Sequence, residues 1–136
     1  MGHPISWLWV LAGAALYLII GGLWYSPLLF VHPWLRMNDK TLKEIQDTTW
    51  TLRPNVARVT SILLSFALAR LVLLTDAHSA WEGARLGALL WLGFVVPTGT
   101  HALFELKPWP LFWINQGYFA VGMIAVGALH GATAGQ

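Results

Sequence analysis

Three runs without a single Asp, Glu, Lys or Arg side chain dominate this chain, at residues 1–35, 86–104 and 108–136. A helix needs about 20 apolar residues to cross a bilayer, and each run is close to that length or longer. A fourth run, 56–74, is apolar apart from one arginine near each end. The pattern predicts an all-α integral membrane protein that folds as an antiparallel four-helix transmembrane bundle.

The composition leaves no room for a separate soluble domain. The chain has 136 residues, of which 57% are hydrophobic and 10% charged, so we predict a single membrane domain over residues 1–136. The absence of cysteine excludes disulfides and thiolate metal sites. The predicted spans cover about residues 5–25, 56–74, 81–101 and 111–129, with a longer loop at 28–55.

The first loop, 28–55, is mixed in charge and partly amphipathic. Thr41 and Glu44 have the spacing of a helix capping box, so the loop is predicted either to contain a short surface helix or to be disordered. Six basic residues lie on this side of the chain and two on the other, which predicts a cytoplasmic loop and both termini outside. The six are Arg36, Lys40, Lys43, Arg53, Arg58 and Lys107, and the two are Arg70 and Arg85.

Small residues and tryptophans predict how the spans pack and where they end. Small residues at four-residue spacing let helix backbones approach closely in lipid. The predicted packing positions are Ser61, Ser65, Ala69, Gly83, Gly87 and Gly122. Aromatic rings favour the headgroup layers. The predicted interface anchors are Trp7, Trp9 and Trp81 at the outer layer, and Trp24, Tyr25, Trp34, Trp109 and Trp113 at the inner layer. The cluster at 24–27 would alternatively line a site beside a broken helix.

Two groups of polar side chains are predicted at opposite ends of the bundle. At the inner end His101 and Glu105 share a helix face, with Asn115 and Tyr118 on the next helix. They either join the two helices by hydrogen bonds, or His101 and Glu105 relay a proton or supply two metal ligands. At the outer end, four residues of alternating charge are predicted to pair and neutralise one another, or alternatively to bind an anion or gate a pore. That set is Arg70, Asp76, Glu82 and Arg85.

The histidines and serines suggest little catalytic chemistry. His3, His78 and His130 are predicted as scattered outer-surface residues, although three imidazoles can bind zinc or sense pH. His130 remains a candidate axial ligand for haem or a pigment inside a larger assembly. Neither Ser61 nor Ser65 has an evident base in the sequence, and no catalytic motif is present. We therefore expect a non-enzyme with no catalytic residues, no metal and no required cofactor apart from lipid.

Several sequence blocks carry a resemblance to a known family. They are WYSPLLF at 24–30 followed by Trp34, LWLGF at 90–94, LFE at 103–105 and LFWINQGY at 111–118. In order and spacing the chain resembles the membrane family catalogued as domain of unknown function 1761. The resemblance implies a four-helix protein of a bacterial inner membrane, and it implies no activity.

Two functions are compatible with this sequence. The first is a structural or accessory subunit that packs against other transmembrane helices, in a larger complex or a homo-oligomer. The second is a small oligomeric transporter or channel, with a polar pathway near the inner ends of the third and fourth spans. Membrane lipids and other transmembrane subunits are the expected partners, and nucleic acid is not, because the basic residues cluster beside a membrane.

Overall fold

The computed structural model describes residues 4–47 and 53–136, and within those ranges the regular secondary structure is entirely helical. The helices are, in chain order, α1 (Trp7–Trp24), α2 (Val31–Met37), α3 (Leu42–Asp47), α4 (Arg53–Leu74), α5 (Ala80–Phe104) and α6 (Trp109–Ala132). Four of them, α1, α4, α5 and α6, are long and apolar enough to cross a membrane. The predicted helical class with four potential spans is confirmed.

The long helices extend beyond most of the predicted ends. α4 begins at Arg53, three residues before the expected start, and α5 continues to Phe104 with Pro97 inside it. α1 ends at Trp24, just before the Ser26-Pro27 break. Helical hydrogen bonding continues past most of the predicted span ends, so α4, α5 and α6 are longer than predicted, whereas α1 is shorter.

The segment between α1 and α4 contains two short helices. Glu44 accepts a hydrogen bond from the Thr41 amide at 2.8 Å, and Thr41 Oγ1 accepts one from the Glu44 amide at 3.2 Å. These bonds form the capping box that the spacing predicts at the start of α3, and they hold the pKa of the Glu44 carboxyl below its usual range. The sequence did not predict α2, which buries Val31 and Leu35, four residues apart.

α5 and α6 pack against each other at backbone contact. Gly83 lies against Gly127 and Gly131, and Gly87 lies against the main chain of Met123. Residue numbers rise along α5 as they fall along α6. A Cβ atom at Gly83 or Gly87 would collide with the opposite main chain, so this close approach requires glycine.

The remaining predicted packing positions are also buried between helices of this chain. Ser61, Ser65 and Ala69 are buried along one face of α4. Gly122 of α6 lies beneath the ring of Tyr17. Neighbouring helices of the same chain cover these small residues, so the residues are not available to a second protein.

A compact apolar cluster lies between the two ends of the bundle. Tyr17 of α1, Leu68 of α4 and Val126 of α6 form it. Leu16, Leu64 and Tyr118 pack around these three residues. The rings of Tyr17 and Tyr118 are 4.9 Å apart between centroids, so the cluster joins α1 to α6.

Candidate functional site

A large cavity lies at the end of the bundle that carries α2 and α3, which we term the loop end. Its volume is about 690 Å³, and residues of α2, α3, α5 and α6 form most of its wall. Its wall includes all four residues of the predicted inner polar group, which are His101, Glu105, Asn115 and Tyr118. Pockets of this size hold drug-sized molecules in other proteins.

Apolar and aromatic side chains make up most of the cavity wall. The aromatic members are Tyr25, Trp34, Phe112, Tyr118 and Phe119. The short loop helices also contribute, because Val31 of α2 and both Leu42 and Ile45 of α3 line the cavity. The capping box at the start of α3 thus holds part of the cavity wall in place.

The charged residues of the cavity lie close together at its rim. His101 Nε2 is 3.4 Å from Glu105 Oε1, and Lys107 Nζ is 3.7 Å from Glu105 Oε2. All three side chains are well exposed, so these contacts contribute little to stability. Glu105 and Lys107 thus bring one carboxylate and one ammonium group to the rim.

A buried amide lies farther into the bundle than these charges. Gln116 is only 3% exposed, and its Nε2 donates to Thr98 Oγ1 at 3.0 Å. Thr98 Oγ1 in turn lies 2.9 Å from the Phe94 carbonyl oxygen, to which it donates its proton. Gln116 Oε1 is buried and has no hydrogen-bond partner among the described residues. Sequence reasoning missed Gln116, although a glutamine within an apolar span is itself a signal.

Hydrogen bonds connect the end of α1 to α6 beside this cavity. Trp24 Nε1 donates to the Ile114 carbonyl oxygen at 2.8 Å, and the Trp24 indole covers Gly117. Tyr25 Oη donates to Asn115 Oδ1 at 2.8 Å. Trp24 and Tyr25, which the sequence predicts as headgroup anchors, thus also connect the end of α1 to α6. The alternative that this segment lines a site agrees with the position of Tyr25.

A second polar site lies at the opposite end of the bundle, where both chain ends meet. Ser65 Oγ donates to the Val10 carbonyl oxygen at 2.7 Å and lies 2.9 Å from His130 Nε2. Gly13 gives this pair its space, because a Cβ there would overlap Ser65 Oγ. A pocket of about 230 Å³ adjoins His130 and is lined by residues near both termini, including Ser6.

Two expectations about this pair are wrong. His130 is 4% exposed and does not lie at the surface, and Ser65 has a histidine partner that the sequence concealed. The Ser65 proton goes to Val10, so His130 Nε2 carries its own proton and donates to Ser65. This direction is opposite to that in a serine nucleophile activated by a base, and it leaves Nε2 unavailable to an iron or pigment metal.

The outer charged group pairs differently from the prediction. Asp76 bonds His78 at 2.9 Å, and Glu82 accepts the His78 amide at 2.8 Å. Neither Arg70 nor Arg85 forms an ion pair with any side chain in 4–47 or 53–136. The turn between α4 and α5 satisfies the acids locally, and Arg70 and Arg85 are exposed.

The remaining predicted residues do not form a further site. Trp7 stacks on Phe66 at 5.7 Å between ring centroids. Trp81, Trp109 and Trp113 are exposed, and Trp9 and Trp34 are partly buried. His3 falls outside the described residues. Within the described ranges no three His, Asp or Glu side chains gather in a way that would hold a metal ion.

The sequence matches one protein family over residues 8–131, nearly its whole length. The chain belongs to the DUF1761 family. The family is described as a protein of unknown function. No curated protein and no solved structure matches the chain. The family resemblance seen in the sequence is confirmed.

Proposed function

We propose that this DUF1761 protein binds a small amphipathic molecule in the cavity at its loop end. The observation that carries the proposal is the cavity of about 690 Å³, in which an apolar wall meets a buried amide and a charged rim. Convergent polar groups in a large apolar pocket are the usual marks of a ligand site. None of the six predicted packing residues lines this cavity, so the packing of the helices does not account for it.

The proposal places the protein in a bacterial inner membrane as an antiparallel bundle. Two observations support this arrangement. The contacts between α5 and α6 run in opposite directions along the two helices, and residues near both termini line one pocket. The excess of basic residues on the loop side supports a cytoplasmic loop end and outer termini. The cavity would then open toward the cytoplasmic half of the membrane.

Transport is the activity that such a site would serve. The cavity and the terminal pocket share no lining residue, and the cluster of Tyr17, Leu68 and Val126 lies between the two ends of the bundle. This separation favours a carrier that alternates between states over an open channel. No catalytic step is part of the proposal.

A cavity-filling variant tests ligand binding directly. Ala102 lines the cavity, so Ala102→Phe should occupy it, whereas Leu103→Phe should not, because Leu103 is exposed on α5. Wild type and Leu103→Phe, purified in native-membrane nanodiscs, should retain a small molecule that native mass spectrometry detects. Ala102→Phe should lose it. Equal retention by all three proteins, or no retained molecule in any of them, would contradict the proposal.

A subunit role is a second candidate, which the exposure of α5 favours. A Cβ at Gly93 would meet no atom within 4 Å, and Leu92 beside it is exposed. Trp91 Nε1 is buried without a hydrogen-bond partner in the described part of the chain. If another transmembrane helix covers this face, Gly93→Leu should lower the mass of the complex in nanodiscs and Leu92→Ala should not. A monomeric mass for wild type would exclude this role.

A further inference from the structure

The hydrogen-bond pattern around Gln116 restricts the chemistry of the ligand. Thr98 has one hydroxyl proton, and Thr98 Oγ1 lies within bonding distance of the carbonyl oxygens of Phe94 and Val95, at 2.9 and 3.0 Å. It can therefore only accept from Gln116, which fixes Nε2 toward Thr98 and leaves Oε1 as the unused atom. An amide oxygen accepts hydrogen bonds and cannot donate them. A group that satisfies Oε1 must bring an N–H or O–H of its own.

The position of Gln116 places this acceptor deeper in the cavity than the charged rim. Seven residues separate it from the start of α6 at Trp109, which corresponds to about 10 Å along the helix. Leaving such an acceptor buried and unpaired is unfavourable. Gln116 lines the cavity, so a polar group that enters the cavity comes next to this amide.

The charge of the cavity lining argues against a ligand that enters the cavity with an ionised group first. Glu105 and Lys107 offset each other at the rim, and beyond them no described residue of the wall carries an Asp, Glu, Lys or Arg side chain, while His101 lies beside Glu105. An ammonium group would lose its hydration and gain only a neutral amide. A carboxylate or an ether has no proton to donate.

We propose that the ligand is an uncharged, lipid-like alcohol whose hydroxyl enters first and donates to Gln116 Oε1, with its apolar chain against the aromatic wall. This inference rests on the proposed function, because it names the class of molecule that the cavity binds. The following experiment tests separately that the ligand donates a hydrogen bond and that it is uncharged.

The test compares three probes with one chain length, 1-decanol, decyl methyl ether and decylamine. Each is titrated calorimetrically into phosphatidylcholine nanodiscs that contain the protein, and empty nanodiscs correct for partitioning into lipid. Wild type should bind the alcohol about five- to tenfold more tightly than the ether or the amine, the factor expected for one neutral hydrogen bond. Gln116→Met keeps the length of the side chain without the acceptor, so it should reduce this preference to about onefold.

The outcomes separate the two proposals. If Ala102→Phe blocks every probe and wild type does not prefer the alcohol, the inference about the hydroxyl is wrong and the cavity site stands. If Ala102→Phe blocks none of them, the cavity site itself is wrong. The comparison of probes on wild type needs no variant, so it decides the inference even if Gln116→Met fails to fold. A preference that persists in a folded Gln116→Met would also overturn it.

Discussion

Alanine at Gly87 should force α5 and α6 apart. Its Cβ would lie 2.7 Å from the Met123 carbonyl carbon and 3.0 Å from the Ile124 Cα. Carbon atoms in favourable contact are about 3.5–4.0 Å apart, so the two helices must separate by about 1 Å. The obstructing atoms belong to the main chain of a helix and cannot rotate away.

The expected loss of stability follows from two opposing effects. Overpacking of this kind costs about 1–3 kcal/mol, while replacement of a helical glycine by alanine returns up to about 1 kcal/mol of helix propensity. Gly93→Ala isolates the second effect, because a Cβ at Gly93 meets nothing within 4 Å. We predict that Gly87→Ala is less stable than Gly93→Ala by about 1–3 kcal/mol.

Reversible unfolding in mixed micelles, followed by circular dichroism, measures this difference. Both variants carry the same chemical change on the same helix, so the detergent affects them alike. Equal stability of the two, within about 0.5 kcal/mol, would refute the reasoning that main-chain contact between α5 and α6 requires glycine.

Three further predictions use other parts of the chain. Ser65→Ala removes two hydrogen bonds between helices, to Val10 and His130, and should destabilise the protein by at least about 1 kcal/mol in micelle unfolding. Ser61→Ala should cost less, because among the described residues Ser61 bonds only its own helix, at the Ala57 carbonyl; the same loss in both variants would contradict this. In intact cells, an impermeant maleimide should label a cysteine at Ala134 and should not label one at Thr41, and labelling of Thr41→Cys would overturn the orientation. Glu105→Gln should leave micelle unfolding unchanged, because the contacts of this carboxylate are long and exposed, and a large loss would show that the rim holds the helices together.

Local sequence patterns were sufficient for the class of the protein and for several local features. Long apolar runs leave a helix in lipid little alternative, since its backbone must satisfy its own hydrogen bonds. The Ser26-Pro27 break and the Thr41–Glu44 capping box depend on residues within a few positions of each other. The inner polar group was also found, because His101 and Glu105 are one turn apart on one helix.

Contacts between distant positions needed the tertiary structure. Ser65 and His130 are 65 positions apart, and no local pattern indicates that they meet. The glycine rows predicted close packing, but only the fold showed that α6 covers Gly83 and Gly87 within the same chain. Gln116 became a candidate for the same reason. Among the described residues Oε1 has no partner, because Thr98, on another helix, donates its single proton to its own helix.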